Sequence, residues 1–114
     1  MGVPAIGAVV LVRFPFSDLS QSKLRPAVVL ANAGRGDQIL CQATSKPYGD
    51  AEAVELDHSA FASGSLRVTS YARPGKLFTA SPDLVTNDLA VLKPDTLTRV
   101  IDAIVDLLRR ASVP

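Results

Sequence analysis

One stretch of this chain carries sustained helical spacing, and it lies at the end. Over residues 94–110 the apolar side chains Leu97, Val100, Ile101, Ile104, Leu107 and Leu108 recur at intervals of three and four, which gathers them on one side of a helix. Pro94 suits the first helical position, Asp95 favours the positive end of the dipole, and Arg109 and Arg110 suit the negative end. Upstream the pattern is different: short apolar runs separated by turn residues. Residues 6–14 form a β-rich run ended by Pro15, a polar loop covers 17–23, and a second apolar run spans 27–31. Glycines and Asn/Asp make 32–37 a turn, leading to a third strand at 38–44. A short strand follows at 53–56, then a helical turn over 57–61 ended by Gly64. Two strands, 66–71 and 76–80, flank Arg73-Pro74-Gly75, and 81–88 is a polar link. Several short strands followed by one terminal helix predict a mainly β domain, a small antiparallel barrel capped by a helix.

At 114 residues with 47% hydrophobic content, the chain has material for one core and therefore one domain, without repeats or a linker. Its single Cys41 has no partner for an internal disulfide and sits in an apolar run, as a small buried hydrophobe would in a reducing compartment. The early apolar run, residues 8–12, lacks a basic n-region and is too short to span a bilayer, so a cytoplasmic protein without membrane attachment is expected. Net charge is only +1, which argues against holding nucleic acid by bulk electrostatics. The charges are unevenly placed, however. Arg13, Lys23, Arg25, Arg35 and Lys46 face only Asp18 and Asp37 in their part of the chain, whereas Asp50, Glu52, Glu55 and Asp57 form an acidic block. A second basic group, Arg67, Arg73 and Lys76, follows. Local patches on a neutral body suit a small polyanion site.

Two motifs bear on that site. In Lys23-Leu24-Arg25-Pro26 the proline pushes Arg25 into an extended conformation, which pre-sets the direction of its guanidinium. Ala43-Thr44-Ser45-Lys46 ends the third strand, where alternation places Leu40, Gln42 and Thr44 on the more polar face. An arginine fork matches a phosphate bidentately, and threonine and serine hydroxyls donate to the same oxygens. Donors aimed at charge that develops in a transition state are worth about 3 kcal/mol each. The plain alternatives are an ion pair between Arg25 and Asp18 and a Thr-Ser turn cap. His58, the only histidine, invites assignment as general base, but it lies between Asp57 and Ser59 in a turn-like segment without an imidazole or thiolate neighbour, which disfavours a catalytic role and a metal-binding one still more. No cluster of metal-ligand character is present, and no cofactor is expected. Phe14, Phe16 and Tyr71 are candidates either for stacking on bases or for the core.

The segment of residues 23–30 resembles the start of the MazF/PemK family of toxins, the RNA-cleaving partners of type II toxin–antitoxin operons. The likeness extends to Gly7-Ala8-Val9-Val10, residues 40–45, residues 64–79 and the terminal helix. The resemblance implies an SH3-like barrel, a homodimer with single-stranded RNA bound near the subunit interface, and a cognate antitoxin that covers the same surface. It places the family's catalytic arginine and threonine on Arg25 and Thr44. Asp18, Lys23, Ser45, Lys46, Ser70 and Arg73 are then expected to bind substrate. It further implies a metal-independent endoribonuclease that uses the RNA's 2′-hydroxyl and leaves 2′,3′-cyclic phosphate and 5′-hydroxyl ends. Two departures stand out. Ser70 and Tyr71 occupy the place of an Asp-Gln pair found in many relatives, which leaves the proton acceptor unassigned. Residues 15–24 differ too, with Asp18 either replacing the missing acid or positioning Arg25. Ser70 in place of an acid keeps one rival open, a catalytically weak homologue that only binds antitoxin, and the same barrel fold offers another, a CcdB-like gyrase-binding toxin. The second is disfavoured because the chain has no Trp. A peptide-binding SH3-like module would need more than 5% aromatics.

Overall fold

A computed structural model describes residues 3–15 and 22–110. Strand β1 (Ala8–Pro15) runs against β2 (Ser22–Gly34), which turns through Arg35 and Gly36 into β3 (Asp37–Thr44). After a loop come β4 (Val54–Leu56), a one-turn 3-10 helix (His58–Ala60), β5 (Phe61–Gly64) and β6 (Ser70–Ala80). A second 3-10 turn (Pro82–Leu84), β7 (Val85–Leu92) and helix α1 (Pro94–Arg110) complete the order. All seven strands join one antiparallel sheet, in the order β4-β6-β3-β2-β1-β7-β5.

That order forces the sheet to curl. Flat, its two edge strands would lie about 29 Å apart at about 4.8 Å per strand. Yet β4 and β5 are joined by residues 57–60 alone, a connection that spans at most about 18 Å fully extended. The curl is helped by register shifts in β1–β7 between Val9 and Val10 and between Leu11 and Val12, since a bulge bends its strand. The result is the half-barrel with a terminal helix expected from the order of elements.

Both faces of the middle strands are buried, which explains why β1 and β2 read as continuous apolar runs rather than clean alternations. On one face Val9, Val28, Cys41, Ala43 and Ala72 pack beneath Val100 and Ile104 of α1. On the other, Val10, Val12, Ala27, Val29, Leu40 and Ala80 form a second cluster. Helix α1 begins where the spacing put it, and the Thr96 hydroxyl in its first turn donates to the Ala60 carbonyl (3.0 Å), tying the helix to the 3-10 turn. Ile101 and Leu108, expected on the buried side, are exposed: the apolar stripe is wider than the sheet that covers it.

Four elements differ from expectation. Residues 61–64 and 85–92 are strands β5 and β7, stabilised by pairing with each other and, for β7, with β1, although their own residues carry little apolar pattern. Residues 70–80 form one strand instead of two. Pro74 is tolerated because the register jumps from Cys41↔Leu77 to Ala43↔Ala72, so that residues 73–76 bulge opposite Gln42 where no ladder N–H is required. Finally, β2 starts well before residue 27, which makes Arg25 part of a strand, paired with Val12.

Candidate functional site

The β2–β3 register brings the two motifs together. Ala27 pairs with Gln42 and Val28 with Cys41. Continued two residues past its last rung, the same register sets Arg25 opposite Thr44. Pro26, with no N–H to give, lies just beyond the ladder on that side. Thr44 in turn pairs with Tyr71 of β6. Alternation then gives Arg25, Thr44 and Tyr71 one face in common, while Leu24, Pro26 and Ala43 project on the other.

A cleft of about 380 Å3 opens at this end of the sheet. Arg25, Thr44, Ser45 and Ser70 border it, four of the residues expected at the site. Its lining is otherwise largely apolar and comes from both faces at the strand ends, with Leu24, Pro26 and Ala43 joined by Leu11, Leu66, Val68 and Leu89. Arg67 adds a second guanidinium at the exposed rim. Sequence reasoning noted Arg67 as part of a basic group without assigning it to the site and expected a strand over 66–71, whereas residues 65–69 are irregular and β6 begins at Ser70. A larger hollow of about 500 Å3 lies at the far end of β3 and β6, lined by Val3, Gln38, Ala80, Pro82 and Asp88. Among the described residues no cation borders it, so charge rather than size makes the smaller cleft the candidate for an anion.

The Thr44 hydroxyl oxygen accepts the Lys46 backbone N–H (3.2 Å), closing the turn that follows β3. Its own O–H points at the Lys46 carbonyl at 3.3 Å, longer than the usual hydroxyl bond of about 2.7–2.8 Å. A phosphate oxygen is a stronger acceptor and would capture that proton. Turn capping and phosphate donation are therefore compatible roles for one hydroxyl. Ser70 is buried, and its hydroxyl donates to the Val68 carbonyl (3.1 Å), holding the segment that forms the cleft's outer wall. Ser45 and Lys46 are exposed.

Arg73 is placed differently. Its Nε donates to the Asp50 carboxylate (2.9 Å), and it does not border the cleft. That hydrogen bond holds the Asp50 carboxyl below its ordinary value, helped by the Glu52 N–H. Glu52 is gripped by both terminal nitrogens of Arg110 at 2.9 and 3.1 Å, which lowers its carboxyl too. Lys23 pairs with Phe14 in the β1–β2 ladder, and Asp18 lies outside the described residues. His58 is exposed and does not border the cleft. Burial pushes the Cys41 thiol up to about 12, and the thiol donates to the Arg73 carbonyl, so it is no nucleophile. Among the described residues, no three of His, Cys, Asp or Glu gather as a metal site, and no helix is long and apolar enough to cross a membrane.

Residues 5–108 match the model of a family described as PemK-like, MazF-like toxin of type II toxin-antitoxin systems. The fold is similar to that of MazF in the MazE–MazF complex of Deinococcus radiodurans, with a TM-score of 0.77 at 23% identity over 96% of this chain and 98% of that one. MazF of the same organism, crystallised alone, gives a TM-score of 0.75 at 25% identity, covering 96% and 99%. An endoribonuclease from a mycobacterial species, in complex with its cognate antitoxin, gives 0.72 at 17% identity, covering 96% of each chain. No curated protein matches the sequence.

Proposed function

Because this chain belongs to the family of PemK-like, MazF-like toxins of type II toxin–antitoxin systems, we propose that it is a toxin that cleaves single-stranded RNA. The observation that carries this reading is that Arg25, Thr44, Ser45 and Arg67 all border one cleft, and the β2–β3 register, continued past Ala27 and Gln42, would set Arg25 level with Thr44. The RNA's 2′-oxygen attacks the adjacent phosphorus and loses its proton, while the bond to the 5′-oxygen breaks and that oxygen gains a proton. A 2′,3′-cyclic phosphate and a 5′-hydroxyl result. In between, the phosphoryl oxygens carry extra negative charge, which the Arg25 fork and the Thr44 and Ser45 hydroxyls stabilise. Water does not enter the bond-breaking step, so no metal-activated hydroxide is needed. Ser70 presents a buried hydroxyl that donates to the Val68 carbonyl, and a neutral hydroxyl is too weak a base to be the proton acceptor. Lys23 and Lys46 hold flanking phosphates, which positions the strand without reading its bases.

The cognate antitoxin covers the same cleft, and the toxin works in the cytoplasm as a homodimer. The exposed stripe Ile101, Val105 and Leu108 of α1 supports a second copy as the cover for that helix face. The test is cleavage of a single-stranded RNA in EDTA by the wild type and by Arg25→Lys, which keeps the charge and loses the fork. Wild-type cleavage yielding cyclic-phosphate ends, a loss of two or more orders of magnitude in the variant, and no cutting of a substrate with deoxyribose at the scissile position are expected. Cutting of the deoxy substrate, or cutting only with added divalent metal, would overturn the mechanism. Antitoxin binding without any RNA cleavage would instead support the binding-module reading.

A further inference from the structure

Residues 45–53 connect Thr44 to β4 and carry Ser45 and Lys46, yet they contain no regular element. Both ends of this loop are fixed to neighbouring positions of β6: Thr44 pairs with Tyr71, and Val54 with Ala72. Between them the chain makes two tandem turns, Asp50 N–H to the Pro47 carbonyl (3.0 Å) and Ala53 N–H to the Asp50 carbonyl (3.2 Å). Tyr48 in the first turn has φ +54, a conformation that a non-glycine residue holds only where surrounding contacts impose it.

Asp50 supplies such contacts. One carboxylate oxygen accepts Arg73 Nε (2.9 Å) and the other accepts the Glu52 N–H (3.0 Å). Arg73 is the residue of β6 immediately after the two that anchor the loop ends, and it opens the bulge. It is held at both of its own ends, by Asp50 at the guanidinium and by the Cys41 thiol, which donates to its carbonyl at 3.2 Å. The pair is largely shielded, with side-chain exposures of 24% for Arg73 and 16% for Asp50. Partial burial of this kind favours a maintained contact over the transient one of a surface ion pair.

We infer that Asp50 and Arg73 form a positioning clamp that fixes the 45–53 loop and thereby the Thr44–Ser45 corner of the cleft. Arg73 then serves the reaction through Asp50 and does not touch RNA. This rests on the proposed ribonuclease reading for its kinetic consequences, but its structural consequence stands apart from that reading. The Lys46 amide, on an exposed residue and bonded to Thr44 Oγ1, reports the corner directly.

The two accounts of Arg73 differ in what Asp50 does. If Arg73 binds phosphate, Arg73→Met raises KM and reduces the salt dependence of binding, while Asp50→Asn, which removes a negative charge, leaves cleavage unchanged or improves it. If the pair is a clamp, Asp50→Asn and Arg73→Met each lower kcat about tenfold or more with KM within about threefold. The double variant is then no worse than either single one, because both remove the same contact. The charge-exchanged variant, Asp50→Arg with Arg73→Asp, restores part of kcat.

Native-state hydrogen exchange read by NMR gives a result independent of activity. In Asp50→Asn and Arg73→Met the Lys46 and Ala53 amides should exchange at least tenfold faster, while amides in the centre of β2 and β3 keep their protection. Unchanged exchange at Lys46 in both variants overturns the clamp even if RNA cleavage is confirmed. Faster exchange in a chain that cuts no RNA keeps the clamp and removes the ribonuclease reading.

Discussion

Gly64→Ala separates two costs that glycine normally conceals. Gly64 ends β5 with φ +66, and a Cβ placed there would sit 2.5 Å from the Leu89 carbonyl oxygen and 2.9 Å from the Ala90 Cα, both on the backbone of β7. Gly49 has a similar φ of +74 in the 45–53 loop, and a Cβ there meets nothing within 4 Å. Alanine at Gly49 should therefore cost only the left-handed backbone term, about 1–2 kcal/mol. Gly64→Ala adds the overpacking of a paired strand that cannot move without breaking its ladder, about 1–3 kcal/mol more. With an unfolding entropy of about 2.1 cal/mol/K per residue, a chain of this length loses about 4 °C of Tm per kcal/mol. The expected losses are then about 4–8 °C for Gly49→Ala and about 8–20 °C for Gly64→Ala, read by circular dichroism under identical buffer and concentration. The difference also reaches the site, since Gly64 leads into residues 65–68, which form the outer wall of the cleft. RNA cleavage by Gly64→Ala should fall even below its unfolding temperature as that wall shifts. Equal Tm losses for the two variants would refute the close approach of β5 and β7.

Thr44→Val should lower kcat by about 10²–10³ while moving Tm by only a few degrees, because valine suits the strand and lacks only the hydroxyl. The folded-state carboxyl of Asp50 lies below its unfolded value of about 3.8, so its contribution is complete above that pH and is lost as pH falls through the folded value. Urea midpoints measured down the acid range should accordingly fall more steeply below about pH 4 for the wild type than for Asp50→Asn; parallel curves would contradict the pairing with Arg73. Cys41, fully buried with its thiol pushed up to about 12, should resist iodoacetamide in the folded protein and react once urea unfolds it. Light scattering at micromolar concentration should give a mass near twice 12.0 kDa, and Leu108→Lys, at a position 61% exposed on the α1 stripe, should shift it toward the monomer.

What the sequence determined by itself was local. Helix 94–110 was legible at both ends because its start and stop signals and its periodicity all lie within the segment. The β-rich runs were legible because Val and Leu at successive positions suit strands buried on both faces. Arg25 and Thr44 stood out as residue types suited to an anion, each beside a residue that restricts it. Their juxtaposition was not legible from residue chemistry, since it depends on a hairpin register that only the pairing of Ala27 with Gln42 and Val28 with Cys41 sets. Strand β7 was hidden for a related reason: Thr86, Asn87 and Asp88 have no apolar pattern, and they are extended because β1 offers them a ladder. Asp50 and Arg73 are 23 residues apart, and by sequence Arg73 was expected to bind substrate while Asp50 was only one of an acidic block. Only the pairing of β3 and β4 with adjacent residues of β6, which sets the 45–53 loop beside the bulge, turns them into a pair. Short-range propensity acts within a few residues, whereas a cleft is built from strand ends that meet after the sheet has closed.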